Sequence, residues 1–200
     1  MKNTNTFLRL AALLLSFGLM AAGCGIFETR TPEEPGAGSG SGFQQPDRAE
    51  VVIRNLQSAI AGLNTLNYMR SLSEDGFSFT PSASAFDNDP QIWQNWSRLS
   101  EENYFNNMRG SAQNQSGHAL VLSDEERTPL PTGGERYTAT YSLTIFHNRT
   151  GQGIPTVASG TFIMDLVQGD DGLWSVQNWT DSAGGSQFTW SDFKVTFSRD

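Results

Sequence analysis

The chain has 200 residues and a formal net charge of -8, with 13 lysines and arginines against 21 aspartates and glutamates. That length holds one domain plus extensions, and five tryptophans and thirteen phenylalanines can build one sizeable core. The acidic balance argues against nucleic acid as a partner, because phosphates call for a basic surface, and the lone cysteine excludes an internal disulfide.

Residues 1–23 read as a lipoprotein signal peptide. Lys2 and Arg9 precede an uncharged apolar run at 10–20, and Ala21, Ala22 and Gly23 lead into Cys24. The run is too short for a bilayer span, which takes about 20 residues. Small residues directly before a cysteine resemble the bacterial lipobox. That resemblance implies acylation of Cys24 and anchoring by several acyl chains. Gly25, in place of an aspartate, points to the outer membrane, facing the periplasm. Residues 24–46 hold the lipidated Cys24, Pro32, Pro35, Pro46 and a Gly/Ala/Ser run at 36–42, the composition of a flexible tether.

The domain spans 47–200. Asp47 with Glu50 offers a capping box for a helix over 47–63, whose Val52, Leu56, Ala59 and Ile60 share one face. A short helix is expected over 65–72, then a strand over 77–80 that Pro81 ends. Residues 82–89 read as loop. Pro90 sits at the first position of a helix that runs to Gly110, with a break expected near Ser100. The rest reads as sheet. Residues 116–123 alternate, and 124–135 read as a polar loop. The segments 136–148 and 156–168 alternate cleanly, and Gly169-Asp170-Asp171-Gly172 turns into a partner strand over 173–181. The tail, 188–197, reads as a last strand or an irregular segment.

Helices followed by a run of strands predict an α+β domain, with N-terminal helices packed on a curved antiparallel sheet. The strand entry Asp75-Gly76-Phe77-Ser78-Phe79 and the late strand Gly172-Leu173-Trp174-Ser175-Val176 resemble the nuclear transport factor 2-like superfamily. That group includes ketosteroid isomerase, scytalone dehydratase and the SnoaL-like proteins. The stretch from Trp174 to Lys194 also looks like bacterial lipoproteins of that superfamily. The resemblance implies a cone with one open mouth, closed by helices on one side and by the curved sheet on the other.

In catalytic relatives an aspartate or a His-Asp pair inside the cone moves a proton, while tyrosine or aspartate donors hold the oxygen. The candidate bases here are Asp165, if its face is the concave one, and His118, if it points inward from its strand. His147 reads as a surface turn and Asp181 as a cap on loop backbone. Trp93, Trp96, Tyr68, Tyr104 and Tyr141 are the candidate lining of an apolar ligand pocket. No motif for a phosphate, a metal or a cofactor is present, so none is expected. Three readings stay open: a lipid-anchored envelope domain binding a small apolar ligand or a protein, an isomerase- or dehydratase-like enzyme, and a structural module that forms a homodimer through its sheet.

Overall fold

A computed structural model describes residues 42–113 and 116–199. The signal peptide, Cys24 and the tether up to residue 41 lie outside the described residues. In chain order the elements are α1 Ala49–Ala61, α2 Thr65–Arg70, β1 Ser78–Thr80, α3 Ala83–Asn88, α4 Pro90–Trp93, α5 Arg98–Ser111, β2 Ala119–Pro129, β3 Glu135–Thr144, β4 Val157–Gln168, β5 Trp174–Ser182 and α6 Trp190–Ser198.

The strands form one sheet in the order β1-β5-β4-β3-β2. Strands β2 to β5 pair antiparallel, but β1 joins β5 in parallel, so the sheet is mixed rather than antiparallel. No hairpin ties β1 to β5, so no turn sets their relative direction. Alternation sorts the faces. Tyr137, Ala139, Tyr141, Leu143, Phe162, Met164 and Leu166 are buried on one side, while Thr140, Ile163 and Asn178 are exposed on the other. The helices pack on the buried side, which makes the domain α+β. Register shifts between Ser123 and Glu126 in β2 and at Asp165/Leu166 in β4 bend the sheet locally.

Four local expectations change. The capping box at Asp47 does not form, and no side chain caps α1. The chain enters that helix docked instead: Trp174 N donates to the Pro46 carbonyl at 2.8 Å, and Asn55 exchanges bonds of 2.8 and 2.7 Å with the Gln44 backbone. Part of the expected loop at 82–89 is helical, as α3. The break in the next helix falls at 94–97, where Ser97 and Ser100 form a capping box that starts α5. Strand β2 continues through the expected polar loop to Pro129, because a bulge at Asp124, with φ of 51°, restores its pairing with β3.

The tail is the largest change. It is helix α6, not a strand. Asp192 accepts from Thr189 N at 2.7 Å, and the Thr189 hydroxyl accepts from Asp192 N, so a capping box nucleates it.

Gly160 lets β3, β4 and β5 close over this helix. A Cβ there would lie 2.4 Å from the Ser182 carbonyl and 2.9 Å from the Tyr141 hydroxyl. Gly160→Ala is therefore expected to cost about 1–3 kcal/mol as an overpacking change, read as a lower urea midpoint at unchanged slope. An unchanged midpoint would mean that the strands part freely at this point.

Candidate functional site

The interior between helices and sheet is built by two facing stripes. Glu101, Tyr104, Phe105 and Met108 recur at helical spacing along α5, and Trp190, Phe193, Lys194 and Phe197 do so along α6. The two helices pack together and bring Glu101 to Lys194. Both side chains are fully buried, and the ammonium and carboxylate form an ion pair. Glu101 also accepts from the Tyr68 hydroxyl and the Trp96 indole, each at 2.7 Å. The Lys194 ammonium lies 3.8 Å from the Phe79 ring centroid and 4.2 Å from that of Trp179. Such faces attract a desolvated cation. Burial pushes the Lys194 ammonium down to about 8, against the pull of Glu101. Burial, and then the Glu101 charge, raises Tyr68 and Tyr104 well above the usual tyrosine value.

A second network fastens the start of α6. Asp181 accepts from the Tyr141 hydroxyl at 2.7 Å and from Ser191 N at 2.8 Å, and the Ser191 hydroxyl donates to the same carboxylate. Burial raises Asp181, while the bonds from Ser191 and Tyr141 oppose the rise. Ser191 N is a first-turn donor without an intrahelical partner, so Asp181 caps the helix from the sheet. The Tyr141 hydroxyl accepts from Trp190 N at 2.7 Å, and the Trp190 indole donates to the Tyr104 hydroxyl at 3.0 Å. The Ser191 hydroxyl accepts from Ser82 N at 2.9 Å. The hydrogen-bonding groups named here are spent on one another.

The sequence candidates fall as follows. Asp165 is not inside. It stands on the outer face, opposite Phe162, Met164 and Leu166, and takes two bonds from Arg136 at 2.7 and 3.0 Å. Arg136, paired with it in register on β3, holds its carboxyl below the usual range. His118 is buried just before β2, where its Nδ1 accepts from Phe146 N at 3.3 Å. His147 is buried too, and not in a surface turn: its Nδ1 accepts from Arg149 N at 3.1 Å, its Nε2 lies 2.9 Å from the Pro155 carbonyl, and Phe193 and Phe197 flank the ring. Trp93, Tyr68, Tyr104 and Tyr141 are buried and Trp96 half-buried, so the structure does bring the five aromatics to the interior. Each packs against another ring there: Trp93 on Trp96 at 4.8 Å, Tyr68 on Phe105 at 4.2 Å, Tyr141 on Phe162 at 5.7 Å. Trp93 is further tied to the Ala85 carbonyl at 3.1 Å.

Sequence reasoning missed Glu101 and Lys194. The signal for Glu101 was present, since it shares the apolar stripe of Tyr104 and Met108. The signal for Lys194 was hidden, because the tail read as a strand or an irregular segment.

No protein-family model matches the sequence, and no curated protein is significantly similar to it. Solved structures are similar to it. A protein provisionally assigned as an aromatic ring hydroxylase from Novosphingobium aromaticivorans superposes with a TM-score of 0.51 at 11% identity, over 66% of this chain and 84% of its own. A protein from the same organism, provisionally assigned as a scytalone dehydratase, gives a TM-score of 0.50 at 9% identity, over 66% and 78%. A nuclear transport factor 2-like protein from Rhodospirillum rubrum covers 68% of this chain and 97% of its own at 11% identity, with a TM-score of 0.48. Helices laid on one face of a bent five-stranded sheet, in this order, are the nuclear transport factor 2-like fold, and that is the fold of this domain.

Proposed function

We propose that the protein is a lipid-anchored, non-catalytic module of the bacterial cell envelope that pairs with a second copy of itself through the outer face of its sheet. One observation carries the reading: the buried face of helix α6 and the sealed Lys194–Glu101 pair help fill the interior between the helices and the sheet. A base needs access to a substrate proton. Asp181 and Glu101 have no such access, and Asp165 stands outside. A small apolar ligand would have to displace the aromatic contacts that now fill the interior.

The outer face is open and nearly flat in chemistry. Ser123, Thr140, Thr161 and Ser182 form one cross-strand row, and Thr138, Ile163 and Thr180 another. Val121, Val157 and Ile163 are exposed on it at 61%, 44% and 37%. Four strands about ten residues long, at about 3.3 Å per residue and about 4.8 Å apart, together with the short β1, give an area on the order of 700 Å². A stable pair buries about that much on each partner. Cys24 would hold both copies at the membrane.

The test has two readouts on one chain. Cys24→Ser is expected to move the protein from the membrane to the soluble fraction and to sediment as a dimer. Adding Ile163→Asp should make it monomeric with the far-ultraviolet signal of the folded domain retained. Unaltered membrane partition removes the anchor, and a monomeric Cys24→Ser chain removes the pairing.

A further inference from the structure

A cleft of about 650 Å³ opens at the end of the sheet, away from the aromatic interior. None of Tyr68, Trp93, Trp96, Tyr104 and Tyr141 lines it. Its size is that of a small-molecule site. Its walls come from four parts of the fold: the docked segment at Phe43 and Pro46, the end of α2 with the turn after it, the first residue of α5, and the β4–β5 turn.

The walls are fixed by backbone bonds. Val176 N donates to the Ser71 carbonyl at 2.9 Å, Ser73 N to the Val176 carbonyl at 2.8 Å, and Trp174 N to the Pro46 carbonyl at 2.8 Å. Asp171 holds its own turn by accepting from Leu173 N at 2.9 Å. A ligand therefore meets a preformed surface and spends little on ordering it.

Among the described residues, the charges in the cleft form no ion pairs. Arg70 and Arg98 line it, and neither has a carboxylate within 4.0 Å among the described residues, whereas Arg127 and Arg136 do. Arg98 is held by one bond of 2.9 Å to the Met69 carbonyl, and its Nε is buried without a hydrogen-bond partner. Arg70 lies over the Phe43 ring at 5.4 Å. Asp170 and Asp171 of the β4–β5 turn line the cleft as well, as do Glu74 and Asp75 of the turn after α2, and among the described residues none of the four forms an ion pair. Trp174 lies among these groups, half-buried. Opposite charges thus line one cleft without forming an ion pair among the described residues.

We infer that this cleft binds a small zwitterion, an amino acid or a short peptide with free ends. Its carboxylate meets Arg70 and Arg98, whose planar forks suit that group. Its ammonium meets Asp170 and its neighbours, and an apolar side chain lies on Phe43 and Trp174. A bare anion would face four carboxylates, and a bare cation two guanidiniums. Only a ligand carrying both charges satisfies both sets of groups.

Calorimetric titration of the full chain with the dipeptide phenylalanyl-leucine tests this. Saturable binding tighter than about 1 mM is expected, at least about tenfold weaker for the C-terminal amide and for the N-acetyl form. Arg70→Met removes one guanidinium from an exposed position, keeps an apolar stem to lie on Phe43, and should weaken the dipeptide by a similar factor. Asp170→Asn should weaken the dipeptide but not its N-acetyl form. The inference is overturned if the dipeptide gives no saturable heat, if blocking either end changes nothing, or if Arg70→Met binds as well as the parent.

Discussion

Lys194→Ala is expected to lower the stability of the domain by about 3–5 kcal/mol, enough to unfold a substantial fraction of a typical domain. The cause is the charge left behind. Glu101 is fully buried, and without the ammonium it keeps only the hydroxyl of Tyr68 and the indole of Trp96 as donors. Two neutral hydrogen bonds do not replace the solvation of a buried carboxylate. Glu101→Ala should cost about as much, because the ammonium would then rest on ring faces alone. The double variant Glu101→Gln with Lys194→Met removes both charges while nearly keeping volume. It should recover most of the loss, since a buried pair is weakly favourable against an apolar replacement. Urea unfolding of the parent, Glu101→Gln, Lys194→Met and their double variant closes a cycle and gives the coupling, expected at more than about 1 kcal/mol. Additive single losses would show that water reaches the pair. Tryptophan emission supplies the structural readout, because Trp179 and Trp190 stack edge-on at 4.6 Å behind Lys194 and share its fate.

How far the sequence exposed this arrangement depends on where each signal lived. Strands β3 and β4 were plain because one face is buried and the other wet, so Tyr137, Tyr141, Phe162 and Met164 alternate with polar residues. The outer half of β2 was hidden for the opposite reason: from Ser123 to Pro129 both faces are exposed, and no alternation survives. The tail misled because Phe193, Val195 and Phe197 fit a period of two as well as Trp190, Phe193, Lys194 and Phe197 fit a helix. The local chemistry could have decided between them, since Thr189 and Asp192 stand three apart, as a capping box requires. Reading that box would have put Lys194 on an apolar face and asked for its partner. Whether Asp165 faced inward stayed open in the sequence, because period-two patterning names two faces without saying which one is concave. The pairing of Arg136 with Asp165 depends on strand register, which no single segment reveals.

Above pH 10 the domain is expected to unfold steeply, driven by its tyrosines. The chain has four, and folding raises the ionisation of every one above the unfolded value of 10.0. Burial is the first cause in each case. Next come Glu101 for Tyr68 and Tyr104, Glu125 for Tyr137, and Asp181 for Tyr141. A folded-state value above the unfolded one means that the folded chain keeps its proton longer. The stability that depends on it is therefore present below pH 10 and lost as pH rises beyond. Lys194 has the opposite sign. Its folded value of about 8 lies below the unfolded 10.5, so the unfolded chain holds the extra proton between them, and stability from this group grows across that window. The two effects predict a shallow rise in urea midpoint from pH 8 to 10, followed by collapse. Absorbance at the phenolate band should stay flat through pH 10, where free tyrosine ionises, and then climb in one step together with loss of the far-ultraviolet helix signal. Lys194→Met should erase the rise and keep the collapse. A graded phenolate titration centred near pH 10 with the fold intact would show the tyrosines in contact with water, and the sealed interior on which the non-catalytic reading depends would be open.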